Sequence, residues 1–348
     1  MHDSGMGLQR AAGICTDLPF AVNPVRRRLN FPPRHLYTAC GIGNVSNSRR
    51  RLSKSRLSLI LQPRHLSNPQ CISVFYRTAS PPNNPDAPTV LLLHGYPTSS
   101  HQYRNLIPLL AEHYTVVAPD LPGFGFTSVP AERNYQYTFA SLSRTIGLFL
   151  DALSITSFAV YIFDYGAPVL LRLALERPKA IKAIITQNGN AYTDGLGAAW
   201  APIQKYWASD SAEDRAAVAA GVLTFEATKW QYTHGSRDPD AIQPESYTLD
   251  WALMQRPGNF EIQLDLFRDY QHNVELYPRF QEYFRTSQVP LLAVWGKNDG
   301  FFIPPGAEAY KRDLPKAEVV LLDAGHFAGE TETVEIAGRM IEFLKRVL

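Results

Sequence analysis

Tyr161-Ile162-Phe163-Asp164-Tyr165-Gly166-Ala167-Pro168 runs a buried apolar strand straight into a helix, with a carboxylate at the bend and a glycine two residues later. A strand that turns this sharply into a helix exposes its middle residue, provided the neighbours are small enough for backbones to pass closely. Gly166 meets that requirement and Ile162 does not. The acid at the apex limits the chemistry. A carboxylate attacking a carbonyl makes an anhydride, whereas one attacking a saturated carbon makes an ordinary ester that water can later cleave. An electrophilic sp³ carbon bearing a leaving oxygen or halide is therefore the favoured target. The plain structural reading of Asp164 is a cap on the helix that begins near Gly166.

Strands and helices alternate on both sides of this turn. Val90 to Leu93 is a continuous apolar run, as a strand buried on both faces requires, and it ends in a loop at His94 to Ser100. Tyr103, Leu106, Ile107 and Leu110 then form one helical stripe. The strand Thr115 to Ala118 precedes a helix capped by Thr138, with Phe139, Leu142, Ile146, Phe149 and Leu153 on its inner side. Phe158 to Phe163, the helix Ala167 to Glu176 and the strand Ala183 to Thr186 continue the rhythm. Strands separated by helices of this length imply βαβ units and a mostly parallel sheet.

The rhythm stops from about 187 to 286, where helices and loops carry Trp200, Trp207, Trp230, Trp251 and several tyrosines. It resumes with strands at Pro290 to Trp295 and Val319 to Leu322, and a helix marked by Val334, Ala337, Ile341 and Leu344 closes the chain. The expected organisation is an α/β core over 71–186 and 287–348, opened by a strand at Ile72 to Arg77 and interrupted by a helical cap over 187–286. Residues 1–70 are expected to be a basic, disordered leader.

Composition fits that division. Of 348 residues, 45% are hydrophobic and 19% charged, enough to bury a sizeable core, and no apolar run is long enough to span a membrane. Residues 1–85 hold 12 Lys/Arg against only Asp3 and Asp17, leaving 22 basic and 30 acidic residues in the body. An acidic body without a basic, aromatic-interleaved face gives no reason to expect nucleic-acid binding. Cys15, Cys40 and Cys71 write neither a disulfide framework nor a metal site, so a reducing, cytoplasmic setting is expected. The Arg- and Ser-rich leader implies mitochondria instead if it is a transit segment.

Two later loops complete a constellation with Asp164. Trp295-Gly296-Lys297-Asn298-Asp299 and Ala324-Gly325-His326-Phe327 each follow a strand, giving the chain order nucleophile, acid, base. Asp299 can orient His326 and stabilise the imidazolium formed when it takes a proton from water. Taken singly, the first reads as a turn and the second as a packed loop histidine. His94-Gly95-Tyr96-Pro97 supplies a fourth part: the backbone N–H groups of Tyr96 and Tyr165 can bind a developing oxyanion, while His94 is expected to brace its loop. The other histidines show no metal-ligand spacing, so neither metal nor cofactor is expected.

With HGYPTSS at His94 to Ser100, APDLPGFGFT at Ala118 to Thr127, FDYGAP at Phe163 to Pro168, then WGKND and GHF in that order, the sequence resembles the α/β-hydrolase superfamily, in its epoxide hydrolase and haloalkane dehalogenase branch. The resemblance spans roughly Ile72 to Leu348. It implies Asp164 as nucleophile, Asp299 as acid, His326 as base, and the insert as a cap over the site. Dehalogenases of this type place Trp after the nucleophile and often Asn after His-Gly to hold halide; here those positions are Tyr165 and Tyr96, although Trp200 or Trp207 can supply an indole donor. Haloacid-cleaving relatives follow the nucleophile with arginines, a pattern that Tyr165 and Pro168 break. Epoxide hydrolases use cap tyrosines as proton donors, and Tyr270 and Tyr206 stand nearest those positions. The expectation is hydrolysis of a small apolar epoxide to a vicinal diol. Carbon–halogen hydrolysis is the first alternative, and a binding protein that has lost turnover the second. Oligomeric state leaves no mark in the sequence.

Overall fold

The computed structural model describes residues 7–14 and 71–348. An eight-stranded sheet forms its centre, in the order β1-β2-β4-β3-β5-β6-β7-β8. The strands are β1 (Gly7–Ile14), β2 (Ile72–Ala79), β3 (Thr89–Leu93), β4 (Thr115–Pro119), β5 (Phe158–Phe163), β6 (Ile181–Gln187), β7 (Leu291–Gly296) and β8 (Glu318–Leu322). β1 and β2 run antiparallel to their neighbours and the rest pair in parallel. Gly7–Ile14 belongs to the stretch expected to be a disordered leader, and it pairs with β2 as an edge strand instead. The expectations for the rest of the leader, disorder or targeting, lie outside the described residues. Cys71, just before β2, is disulfide-bonded, which departs from the expectation of reduced thiols.

The helices are α1 (Leu106–Leu110), α2 (Phe139–Ala152), α3 (Gly166–Glu176), α4 (Ala201–Ser209), α5 (Ala212–Val222), α6 (Phe225–Thr233), α7 (Pro244–Met254), α8 (Asn259–Asp269), α9 (Gln271–Ser287), α10 (Pro304–Asp313), α11 (Ala328–Thr331) and α12 (Thr333–Val347). Helices α4 to α9 all fall between β6 and β7, where the alternation of the sequence lapses. No helix among the described residues is long and apolar enough to cross a membrane.

Because successive strand residues point to opposite faces, the continuous apolar strands feed two cores at once. Leu91, Leu93, Val160 and Ile162 join the α2 residues Phe139, Leu142, Ile146 and Phe149 on one face. Val90, Leu92, Tyr161 and Phe163 meet α1 and the Ile336, Ala337, Met340, Phe343 and Leu344 stripe of α12 on the other. That stripe corrects the expected one, since Val334 is 77% exposed. Thr138 caps α2 as expected, its hydroxyl accepting from Ser141 N–H at 3.2 Å. The chain leaves β3 toward β4 on one side and returns to β5 on the other, so a crevice opens beyond the carboxyl ends of β3 and β5. The loop after β3 and the turn after β5 both project into it.

Candidate active site

Asp164 joins β5 to α3 with φ at 48°, in the left-handed region. That conformation costs a residue with a Cβ about 1 to 2 kcal/mol, so it persists only because the surroundings enforce it. The surroundings are glycines. A Cβ on Gly166 would run into the carbonyl oxygen of Leu93, and one on Gly95 would overlap the Asp164 carboxyl. Gly189 on the neighbouring segment lets the end of β6 approach the start of α3. A Cβ on Gly189 would lie 2.8 Å from the Thr186 hydroxyl and 2.9 Å from the Ala167 Cβ. Gly166→Ala is expected to lower stability by about 2 to 3 kcal/mol through overpacking against backbone. A reduced urea midpoint at unchanged m-value would report it; an unchanged or raised midpoint, usual for Gly→Ala in an open helix, would contradict this account of the turn.

Asp164 is buried, 5% exposed as a residue, and its two oxygens have different surroundings. Oδ1 accepts from Tyr96 N–H at 2.7 Å, and Tyr165 N–H also donates to the carboxylate. Oδ2 lies 3.8 Å from His326 Nε2. On the far side of the ring, His326 Nδ1–H donates to Asp299 Oδ2 at 2.7 Å, which leaves Nε2 facing Asp164. Burial pushes the Asp164 carboxyl up to about 6, against the pull of the His326 charge and of the two amides. Burial alone would push His326 down, but the charge and hydrogen bond of Asp299 and the charge of Asp164 outweigh it and hold the imidazole above its ordinary value.

Asp299 is held by more than the histidine. Phe301 N–H donates to Oδ1 at 2.7 Å, and Asn188 Nδ2 donates to Oδ2 at 2.7 Å. Asn188 also takes Gly296 N–H on its Oδ1 at 2.8 Å, tying the end of β6 to the acid-bearing loop. Sequence reasoning passed over Asn188. The available signal was the Asn188-Gly189 pair closing a strand, and Asn188 does take the left-handed φ of 49° that asparagine tolerates.

The His94–Ser100 loop is braced from within. His94 Nε2 accepts from Leu121 N–H at 2.9 Å, and Nδ1 lies 3.0 Å from the Gly95 carbonyl oxygen, so both ring nitrogens are occupied by backbone. Thr98 N–H donates to Gly95 O at 3.1 Å, closing a turn with Tyr96 and Pro97 at its centre.

Opposite the carboxylate stands a wall of rings. Tyr270, buried between α8 and α9, packs 4.5 Å from Trp200 and 5.7 Å from Tyr165, while Phe267 packs 4.9 Å from Tyr96. The Tyr270 and Tyr277 hydroxyls are 3.5 Å apart, and Asn190 Nδ2 donates to the latter at 3.2 Å. Burial, the Tyr277 phenol and the Asp164 charge hold Tyr270 well above its ordinary value. Burial pushes Tyr277 up to about 12, moderated by its bonds to Tyr270 and Asn190 and raised by Asp164. Both phenols thus lie within electrostatic reach of the carboxylate and stay protonated. Tyr206, the other candidate donor, is committed elsewhere: its hydroxyl accepts from Arg215 at 3.2 Å, and the Arg268 guanidinium sits over its ring. Of the two indoles, Trp207 donates to Phe267 O at 2.7 Å, whereas Trp200 Nε1 is buried without a partner. No group of three or more His, Cys, Asp or Glu able to hold a metal occurs among the described residues.

The arrangement can orient a carboxylate held by two backbone amides, with Oδ1 on Tyr96 N–H and Oδ2 facing the imidazole. It can also hold a base beside that carboxyl group, where a water can be activated, and keeps two protonated phenols within electrostatic reach of it. Comparisons with known proteins show the family. A family described as alpha/beta hydrolase fold matches residues 88–333. An uncharacterized hydrolase of Saccharomyces cerevisiae is 50% identical over 274 residues, spanning 78% of this chain and 92% of its own. A haloalkane dehalogenase of Mesorhizobium japonicum is 42% identical over 94 residues, only 27% of this chain and 29% of that one. Among solved structures, an epoxide hydrolase of Vigna radiata is similar with a TM-score of 0.62 at 24% identity, covering 79% of this chain and 95% of that one.

Proposed function

This chain belongs to the α/β-hydrolase family, and from that membership and the site we propose that it hydrolyses a small apolar epoxide to a vicinal diol through an ester on Asp164. One observation carries the reading: a carboxylate, where acyl hydrolases need a hydroxyl, sits with Oδ1 on the Tyr96 amide at 2.7 Å and Oδ2 turned to the imidazole at 3.8 Å. Oδ2 attacks a ring carbon as the C–O bond breaks, and the released oxygen takes the Tyr270 proton. His326 then removes a proton from water, which adds to the carbonyl carbon of the ester while Oδ1 carries the negative charge on the Tyr96 amide. Collapse releases the diol oxygen, which takes the proton back from His326, and the regenerated carboxyl returns its own proton to the Tyr270 phenolate. The likeness to an epoxide hydrolase structure supports the shape needed for this chemistry, and the aromatic wall favours an apolar substrate.

A second reading has one feature in its favour. The buried, unpartnered N–H of Trp200, whose ring packs at a tilt against Tyr270, is a donor suited to a departing halide, and the local likeness to a haloalkane dehalogenase points the same way. Incubation with aryl and alkyl epoxides and with bromoalkanes separates the two. Diol formation without halide release is the expected result, and the reverse rejects the epoxide reading. Tyr270→Phe is expected to lower kcat on epoxides by about 10² or more, the usual contribution of a general acid. An equal rate for wild type and variant would remove Tyr270 from the mechanism.

A further inference from the structure

The turn that carries the Tyr96 amide is gripped at both ends by the helical insert. At one end, the Tyr96 hydroxyl donates to Val222 O, the last residue of α5, at 2.9 Å. At the other, Tyr232 on α6 places its hydroxyl 3.3 Å from Thr98 Oγ1 and donates to Asp250 Oδ2 on α7 at 2.5 Å. Tyr232, Asp250 and Thr98 are all buried, and Asp250 also hydrogen-bonds Thr98. The Tyr232 ring stacks 3.7 Å from Phe327, the residue after His326. Beside this cluster the half-buried Arg104–Glu330 pair, at 2.7 Å, extends to Ser246 of α7 at 2.9 Å and fixes that helix to the core.

The core alone does not require these residues. The turn closes through its own Thr98 N–H to Gly95 O bond, and His94 braces the strand end. What the insert adds is a fixed direction for the Tyr96 N–H. A buried hydroxyl–hydroxyl–carboxyl cluster is expensive to desolvate and gains only modestly as hydrophobic packing, so an apolar trio would serve stability better. Burial pushes the Asp250 carboxyl up to about 8, further evidence that the site carries its polar group at a cost.

We propose that Tyr232 and Asp250 are positioning residues through which the cap sets the oxyanion donor: by holding Thr98 they aim the Tyr96 N–H at Asp164 Oδ1. The inference rests on the ester mechanism proposed above, since that N–H bears most charge when water adds to the ester. Loosening the clamp should therefore slow ester hydrolysis and leave ester formation largely untouched.

Tyr232→Phe and Thr98→Val each remove one hydroxyl at nearly constant volume, and Thr98→Ser keeps it. In rapid-quench experiments read by intact mass, the first two are expected to slow ester breakdown about tenfold, the rate equivalent of roughly one hydrogen bond, so that alkylated enzyme accumulates. kcat and KM should fall together at constant kcat/KM, and Thr98→Ser should behave as wild type. Loss of folded protein alone would lower kcat without moving KM. Amide exchange of a peptide spanning residues 93–103 is measured alongside and needs no substrate. Faster exchange in Tyr232→Phe and Thr98→Val, but not in Thr98→Ser, supports the clamp even if wild type forms no ester, an outcome that would reject the epoxide reading instead. Unchanged exchange, or ester formation and breakdown slowed equally, overturns the proposal.

Discussion

His326→Gln should arrest the enzyme with the substrate carbon still attached to Asp164. Ester formation uses Oδ2 and the Tyr270 proton, neither of which depends on a base, whereas ester cleavage needs a proton removed from water. Glutamine can occupy the imidazole volume but cannot take that proton. Turnover is expected to fall by about 10⁴ or more, as for other removed triad members, while a first equivalent of epoxide is consumed at a rate near that of wild type. Intact-mass analysis after incubation should show the protein heavier by one substrate, and proteolysis should place the addition on the peptide containing Asp164. Ligand binding without added mass, together with no turnover by wild type, would favour a protein that has kept the fold for binding.

Most of this machinery was legible in the chain before any coordinates, for a definite reason. Strand-end loops of a parallel sheet converge, so Asp164, Asp299 and His326 could be joined by counting strands, and the structure brings them within hydrogen-bonding or near-contact distance. The sheet itself announced its strands as continuous apolar runs, and β5 and β7 are buried at every residue. What stayed hidden depends on side-chain direction. Nothing in the sequence told Tyr206 from Tyr277: both lie on amphipathic cap helices, but one points to Arg215 and the other to Asn190 and Tyr270. Asn188 was missed because its role is a bridge between two loops distant in sequence. The edge strand at Gly7–Ile14 was missed because an arginine-bearing segment outside the core carries no clear period-two signal.

Asp164→Ala removes both steps at once, and the expected loss is on the order of 10⁶ in kcat, with no added mass on any peptide. Combining it with His326→Gln should cost almost nothing more, because residues acting as a unit are not additive. The pH dependence is a sharper test of the same carboxylate. Only its ionised form attacks, and burial pushes the group up to about 6, so ester formation should fall about tenfold per pH unit below that value. The protonated imidazole is one of the influences pulling Asp164 down, so in His326→Gln the acid limb of ester formation should move to higher pH. A limb that stays in place would mean that the two side chains do not sense each other. Stability has the opposite sign. The folded chain keeps this proton to about 6 whereas an unperturbed aspartate releases it near 3.8, so ionisation costs stability progressively as pH rises between those values and fully above them. Asp164→Ala escapes that penalty, while its own left-handed backbone strain is independent of pH. The variant should therefore lose less stability than wild type between pH 4 and 6, and equal slopes in urea unfolding would show that the carboxylate is not buried as described.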